Sequence, residues 1–258
     1  MKGTVLYEIR DEIAVLTVDN PPVNPLSEGV RNGLYECLEK AEEDPNVKGV
    51  VLTGNGRAFI AGADISEFGG NVQGKSLNDV FKKLEFCEKP VVAAINGIAL
   101  GGGLETALCC NYRIASSGAF VGLPEVNLGL LPGGGGTQRL PRLTGPSEAL
   151  KMMLSGSHVP AKKALSMGII DMISENVVEE SISFVKTKAN EIDSHPKVRD
   201  LNEKMIEARG DENLMIEAKA LAGKVRKGQF APGQIIKCVD AAINLDDFDE
   251  GLKKEGEL

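Results

Sequence analysis

Two short runs, GVVLTG (49–54) and VVAAI (91–95), are apolar from end to end. A strand with one wet face alternates apolar and polar residues, so a strand that stays apolar throughout must be covered on both faces. Helical stretches separate the two runs, and that order predicts an α/β fold with a largely parallel sheet. Upstream, VLYEIR (5–10) and EIAVLTV (12–18) flank the charged corner RDE and read as a β-hairpin. NPPVNPLS then halts regular structure, because proline removes a backbone donor and fixes φ. Ser27 is the expected N-cap of a helix running to about Glu43, with Leu34, Cys37, Leu38 and Ala41 on one face.

From about residue 145 the strand signal disappears. SEALKMML, AKKALSMG and VVEESISFVKTKANEI show helical periodicity; in the last, Val178, Ile182, Val185, Ala189 and Ile192 recur at three- and four-residue steps. Residues 200–258 are charged and mostly helical, with a Gly/Pro turn at KGQFAPGQ (227–234). The organisation expected is a core over 1–195 and a helical C-terminal region over 196–258, serving as cap or oligomerisation element. No flexible linker or strong sequence repeat divides the chain.

With 258 residues, 42% of them hydrophobic, the chain can bury a full core. A formal charge of −8 argues against general attraction to nucleic acid or acidic membranes, while leaving room for a local anion site. Nothing approaches the roughly 18 consecutive apolar residues of a membrane span. The opening MKGTVLYEIRDE is strand-like and charged, unlike a secretory or transit leader, and the closing GEL is not an SKL-type address. Cys37, Cys87, Cys109, Cys110 and Cys238 are scattered without a CxxC, as expected of reduced thiols, and the expected compartment is the cytoplasm.

GGNVQGKS (69–76) fits the phosphate-binding pattern G-x-x-x-x-G-K-S, with Lys75 and Ser76 in the signature places. A true P-loop follows directly on a hydrophobic strand, whereas this one follows the acidic GADISEF, which reads as one helical turn. A surface loop is expected instead. RAFIAGADI (57–65) and LGGGLE (100–105) each put small residues at a helix start, where N–H donors lack intrahelical partners. Two such donors converging would form an oxyanion hole, which stabilises charge developing on a carbonyl oxygen. Tight packing of helix on strand is the alternative. In VGLPEVNLGLLPGGGGTQRL (121–140), Glu125 follows Pro124 in apolar surroundings. An acid placed there needs a hydrogen-bond partner or a proton, and often has a chemical task. Glu105 and Glu125 arriving from separate elements at one site would share the holding of a water and the moving of its protons.

These three stretches, in this order and over nearly the whole chain, resemble the crotonase superfamily of enoyl-CoA hydratases and isomerases. The closing APGQIIKCVDAAINLDDFDEGLKKEGEL is similar to the end of the N-terminal hydratase/isomerase part of bifunctional β-oxidation enzymes. The resemblance implies a spiral of ββα units and an acyl-CoA thioester as substrate, with no metal or redox cofactor. It implies an oxyanion hole from the N–H groups of Ala63 and Gly102, and coenzyme A contacts from Arg57, Ala58, Ala61, Asp64 and Ile65. Pro124, Leu131 and Gly133 would line the substrate pocket. Glu105 would orient and deprotonate water and Glu125 would protonate C2, hydrating a trans-2-enoyl-CoA to the (3S)-3-hydroxyacyl-CoA. The alternatives are a Δ3,Δ2-enoyl-CoA isomerase using Glu125 alone and an acyl-CoA-binding protein without turnover. A homotrimer or hexamer is expected, or a monomer if the chain is an excised domain. Pro25 departs from the alanine usual after PPVN in the family, at the adenine end of the site.

Other candidates have blander expectations. His158 and His195 read as boundary or surface residues, and Cys109 and Cys110 as packing residues on the helix of Glu105. Arg139 and Arg142 are expected to be solvated or salt-bridged. Lys253 and Lys254 reach a CoA phosphate only if the last helix folds back over the site.

Overall fold

In the computed structural model, which describes residues 3–67, 73–191 and 194–258, the hairpin forms as read. Strands β1 (Thr4–Arg10) and β2 (Ile13–Asp19) pair antiparallel, and Arg10 opposite Ile13 leaves a two-residue loop. Asp11 and Glu12 both take positive φ, 50° and 68°, which matches the twist of the flanking strands. Helix α1 (Glu28–Glu43) starts after Ser27 and buries Leu34, Leu38 and Ala41, with Cys37 half-buried beside them.

Three strand–strand–helix units follow. The first is β3 (Gly49–Gly54), β4 (Ala58–Ala61) and α2 (Leu77–Glu85); the second is β5 (Val91–Ile95), β6 (Ile98–Leu100) and α3 (Gly102–Cys109). The third is β7 (Tyr112–Ala115), β8 (Phe120–Gly122) and α4 (Gly136–Thr144). Beyond them come α5 (Pro146–Ser155), β9 (Val159–Pro160), α6 (Ala161–Ser166), β10 (Met172–Ile173) and α7 (Val177–Glu191). The chain closes with α8 (Glu203–Ala208), α9 (Glu212–Val225), α10 (Ala231–Asn244) and α11 (Phe248–Glu257).

In each unit the first strand joins one sheet and the second joins another. The larger sheet runs β1-β2-β3-β5-β7-β10, parallel apart from the hairpin; the smaller runs β4-β6-β8-β9, with only β9 antiparallel. The repeat is one of structure, carried by sequences that share little. Side chains of the larger sheet alternate between two cores: Leu16, Val50, Leu52, Ala93 and Ile95 face one, while Val15, Val51, Val92 and Ala94 face the other beneath Val177, Ile182 and Val185 of α7. This double cover is why 49–54 and 91–95 carry no polar face. Each such Val, Leu or Ile contributes about 1.5–3 kcal/mol by leaving water.

Two expectations need correction. Strands persist beyond residue 145, as β9 and β10, but at two residues each they are too short to leave a period-two signal. The KGQFAPGQ turn ends early, since α10 begins at Ala231 with Pro232 in its first turn, where a missing N–H costs nothing. Ile192 of the expected helical stripe lies outside the described residues. Among the described residues no helix is long and apolar enough to cross a membrane.

Candidate active site

The glycines of LGGGLE answer to two close approaches. A Cβ on Gly103 would stand 1.9 Å from the carbonyl oxygen of Ile60, so α3 can lie against β4 only with glycine there. Gly101, the residue before α3, takes φ 54° and ψ −127°, and a Cβ there would stand 3.0 Å from Oε1 of Glu125. Its N–H donates to the carbonyl of Gly122 at 2.9 Å, tying the start of α3 to the end of β8. Gly102 is the first residue of α3, so its N–H lies at a helix end that leaves donors unpaired. A Cβ on Gly102 would lie 3.5 Å from the N of Ala63. The two backbone stretches therefore adjoin. Leu26 fixes the Ala63 side through a parallel bridge and a 2.9 Å bond from its N–H to the carbonyl of Gly62.

These elements surround a cavity of ≈ 510 Å³. Ala61, Gly62, Ala63, Ile65, Gly102, Glu105, Pro124, Glu125, Leu131 and Gly133 line it, with His158 at its edge. Of the residues expected to touch coenzyme A, Ala61 and Ile65 lie on this wall, next to Ala63 of the expected oxyanion hole. Ala58 is fully buried in β4 and Arg57 is exposed at the turn before it; neither lines the cavity. The side chain of Asp64 accepts from the N–H of Ser66 at 3.0 Å, starting the short helix Ile65–Glu67.

Glu105 projects from the first turn of α3 and is 3% exposed. Its Oε1 accepts from the N–H groups of Gly134 and Gly136, both at 2.8 Å. Glu125 opens a one-turn helix, Glu125–Leu128, and its Oε2 is buried without a hydrogen-bond partner among the described residues. Burial first, and the neighbouring charge of Glu105 second, push the Glu125 carboxyl up to about 8. Burial also raises Glu105, but its two amide donors and Arg139 favour the ionised form. The pair thus differs in its partners: Glu105 is gripped by two backbone donors, whereas Glu125 has a bare oxygen and holds its proton up to about 8.

The third acid was not legible in the sequence. Glu255, from α11, is 3% exposed and accepts from the N–H of Gly135 at 2.7 Å and from the hydroxyl of Thr137. Burial and the Glu105 charge raise it to about 8. Glu85 and Arg139 form a two-pronged ion pair at 2.8 Å behind the site, both buried. Arg139 is therefore salt-bridged but not solvated. Arg142 is also buried, stacked 4.8 Å from the ring of Phe248. Lys253 and Lys254 stay exposed, although α11 does pack against α4. His195 meets the hydroxyl of Tyr112 at 3.3 Å, away from the cavity. Cys109 and Cys110 are buried free thiols.

In the GKS stretch, residues 69–72 lie outside the described ones. Ser76 caps α2 in a capping box with Asp79, and Lys75 sits 3.8 Å from the ring centre of Tyr35. Those engagements serve local structure, as expected of a surface loop. Among the described residues no three His, Cys, Asp or Glu side chains are grouped to hold a metal.

The one-turn helix of Glu125 has an outside brace. Arg226, after α9, donates to Oδ1 of Asn127 and to the carbonyls of Ser155, at 2.6 Å, and Leu154, at 3.2 Å. We expect Arg226→Ala to lower thermal stability by about 1–2 kcal/mol, read from melting curves, by removing charge-assisted hydrogen bonds.

Fold and cavity together define the class: a crotonase-type α/β spiral with two acids facing one cavity beside a helix start. The family model described as Enoyl-CoA hydratase/isomerase matches residues 8–231, and the chain belongs to that family. It is 42% identical over 254 residues to the peroxisomal bifunctional enzyme of Danio rerio, covering 98% of this chain and 35% of that one. It is 39% identical over 260 residues to the fatty acid oxidation complex subunit alpha of Shewanella frigidimarina, covering 95% of this chain and 37% of that one. The chain thus spans about a third of the length of these curated relatives. A crystal structure of "Enoyl-CoA Hydrates Subunit I" from Geobacillus kaustophilus matches with a TM-score of 0.67 at 31% identity, over 86% of this chain and 88% of that one.

Proposed function

We propose that the protein hydrates trans-2-enoyl-CoA to (3S)-3-hydroxyacyl-CoA in fatty-acid β-oxidation. The observation that carries this reading is the pairing of Glu105 and Glu125 on one cavity wall, the first holding two backbone N–H donors and the second an oxygen without a partner. Hydration needs both forms at once: a base to take a proton from water as it attacks C3, and an acid to deliver one to C2. Glu105, whose Oε1 the N–H groups of Gly134 and Gly136 hold in place, suits the first task; Glu125, raised to about 8, suits the second. Between the two transfers, negative charge gathers on the thioester oxygen as an enolate. The N–H groups of Ala63 and Gly102 are the donors we assign to it. Ala61, Asp64 and Ile65, with the backbone of Arg57 and Ala58, form the stretch assigned to coenzyme A, and Pro124, Leu131 and Gly133 the wall assigned to the acyl group. This scheme uses no metal or redox cofactor.

The names of the matched relatives support the substrate class. The proposed assembly is a homotrimer or hexamer, and five free thiols fit the proposed cytoplasmic setting. One observation favours a second activity: Glu125, with no partner on Oε2, is suited to carry a proton between C4 and C2 as an enoyl-CoA isomerase would.

The test follows the enoyl thioester absorbance with crotonyl-CoA and a longer 2-enoyl-CoA, alongside conversion of a 3-enoyl-CoA. We expect the absorbance to fall with the natural sequence, and much more slowly with Glu105→Gln. Conversion of 3-enoyl-CoA alone, unaffected by Glu105→Gln, would make it an isomerase; binding without turnover of either would make it a carrier of acyl-CoA.

A further inference from the structure

Four successive residues, the last two of the loop before α4 and the first two of α4, donate alternately to two acids. Gly134 and Gly136 give their N–H groups to Glu105, on α3; Gly135 and Thr137 give theirs to Glu255, on α11, at 2.7 and 3.3 Å. Gly133 and Gly134 separate two cavities. Glu105 lies on the cavity of ≈ 510 Å³, whereas Glu255 lies on a second one of ≈ 420 Å³ behind the loop. The last helix is seated for this contact. Phe248 packs among the guanidinium groups of Arg139, Arg142 and Arg199, with ring distances of 4.6–5.1 Å, and Gly251 lies so close to Gln138 that a Cβ would stand 2.3 Å from its Oε1.

We propose that Glu255 is a positioning residue for the acid pair, fixing from behind the backbone segment that Glu105 grips from the cavity side. A loop carrying glycines at 133–136 has no side chains to hold its own conformation, so its amides follow whichever acceptors face them. Without Glu255, two buried N–H groups and a hydroxyl lose their acceptor, the segment rotates towards other partners, and Gly134 and Gly136 leave Glu105. Displacement of a catalytic group by about 1 Å can cost on the order of 10²-fold in rate.

The Glu255 carboxyl, raised to about 8 itself, also brings a further negative charge to the site when it ionises. It faces Glu105 of α3, Arg139 of α4 and Cys238 of α10, and across the second cavity Lys82 and Glu85 of α2 and Arg199. The cations there are drawn off: Arg139 and Arg199 both pair with Glu85. As Glu255 ionises it therefore repels charge on Glu125, and the two titrate against one another.

The kinetic arm of the test rests on the hydratase reading, and a spectroscopic arm does not. Glu255→Ala should lower kcat about tenfold or more with KM within about threefold. Glu255→Gln keeps the shape and an amide oxygen for Gly135, while the Thr137 hydroxyl turns to accept from the amide, so kcat near neutral pH should return to within about threefold of the parent. In Glu255→Gln, the Glu125 carboxyl, identified by infrared difference titration as the protonated band missing from Glu125→Gln, should titrate lower by about half a unit or more, because the neighbour that gains charge in the same pH range is gone. Wild-type kcat in Glu255→Ala, or an unshifted Glu125 band in Glu255→Gln, overturns the proposal. If Glu255→Ala does not fold, the band in Glu255→Gln decides alone. If the natural protein turns over no enoyl-CoA, the functional reading fails, and the same band still decides this one.

Discussion

Glu85→Ala is expected to destabilise the protein by about 3–5 kcal/mol, the loss typical of breaking a buried ion pair from one side. Glu85 and Arg139 are each 2–3% exposed and meet through two parallel bonds of 2.8 Å, with Arg199 adding a third contact at 3.3 Å. Removing the acid leaves the Arg139 guanidinium buried beside Arg142 and Arg199, three cations around one aromatic ring. Arg139 also donates to the carbonyl of Gly134 at 3.0 Å, so its rearrangement reaches the loop that holds Glu105. Chemical denaturation followed by circular dichroism measures the loss. The double variant Glu85→Leu/Arg139→Met should recover a large part of it, since an apolar replacement of both partners leaves no buried charge in the pair. A loss under 1 kcal/mol for Glu85→Ala would mean that water reaches Arg139 through the adjoining cavity and that the pair is not load-carrying in the fold.

The sequence makes the double-faced strands, the helix starts and the two acids of the cavity readable because each is announced by its immediate neighbours. Residues 49–54 and 91–95 lack a polar face, and Glu105 follows three glycines. Glu125 is conspicuous behind Pro124 in an apolar run. Glu255 has no such signal. In LKKEGEL it sits among exposed Lys253, Lys254 and Glu257, and local composition describes a solvated helix face. Its burial arises from a contact with residue 135, 120 positions away, made possible by the packing of Phe248 and Gly251. Glu85 is hidden for the same reason, as the last residue of an amphipathic helix whose partner is 54 positions on. Arg139 was expected to be solvated or paired, and only tertiary packing decides between the two. The strands β9 and β10 fall below the length at which periodicity exists at all.

Glu125→Gln should cost hydration about 10²- to 10⁴-fold in kcat and at the same time stabilise the protein under alkaline conditions. The two effects have one origin. Burial and the Glu105 charge raise the Glu125 carboxyl from an ordinary 4.5 to about 8. The folded protein therefore holds a proton between those values that the unfolded chain has released. Stability must then fall as pH rises from about 4.5 to about 8 and level off above, the reverse of an acid held in a salt bridge. Glutamine cannot ionise and removes this slope. At pH near 8.5 the variant should be more stable than the natural sequence by on the order of 2 kcal/mol, the difference vanishing below about pH 5. Activity depends on the same proton from the other side: kcat/KM should fall with an alkaline limb near 8 as Glu125 loses it. Melting temperatures of both proteins across pH 4.5–9, set beside rate profiles, measure both. A variant that is inactive yet no more stable at high pH would place the retained proton on Glu255 or Glu105, and the acid delivering a proton to C2 would have to be reassigned.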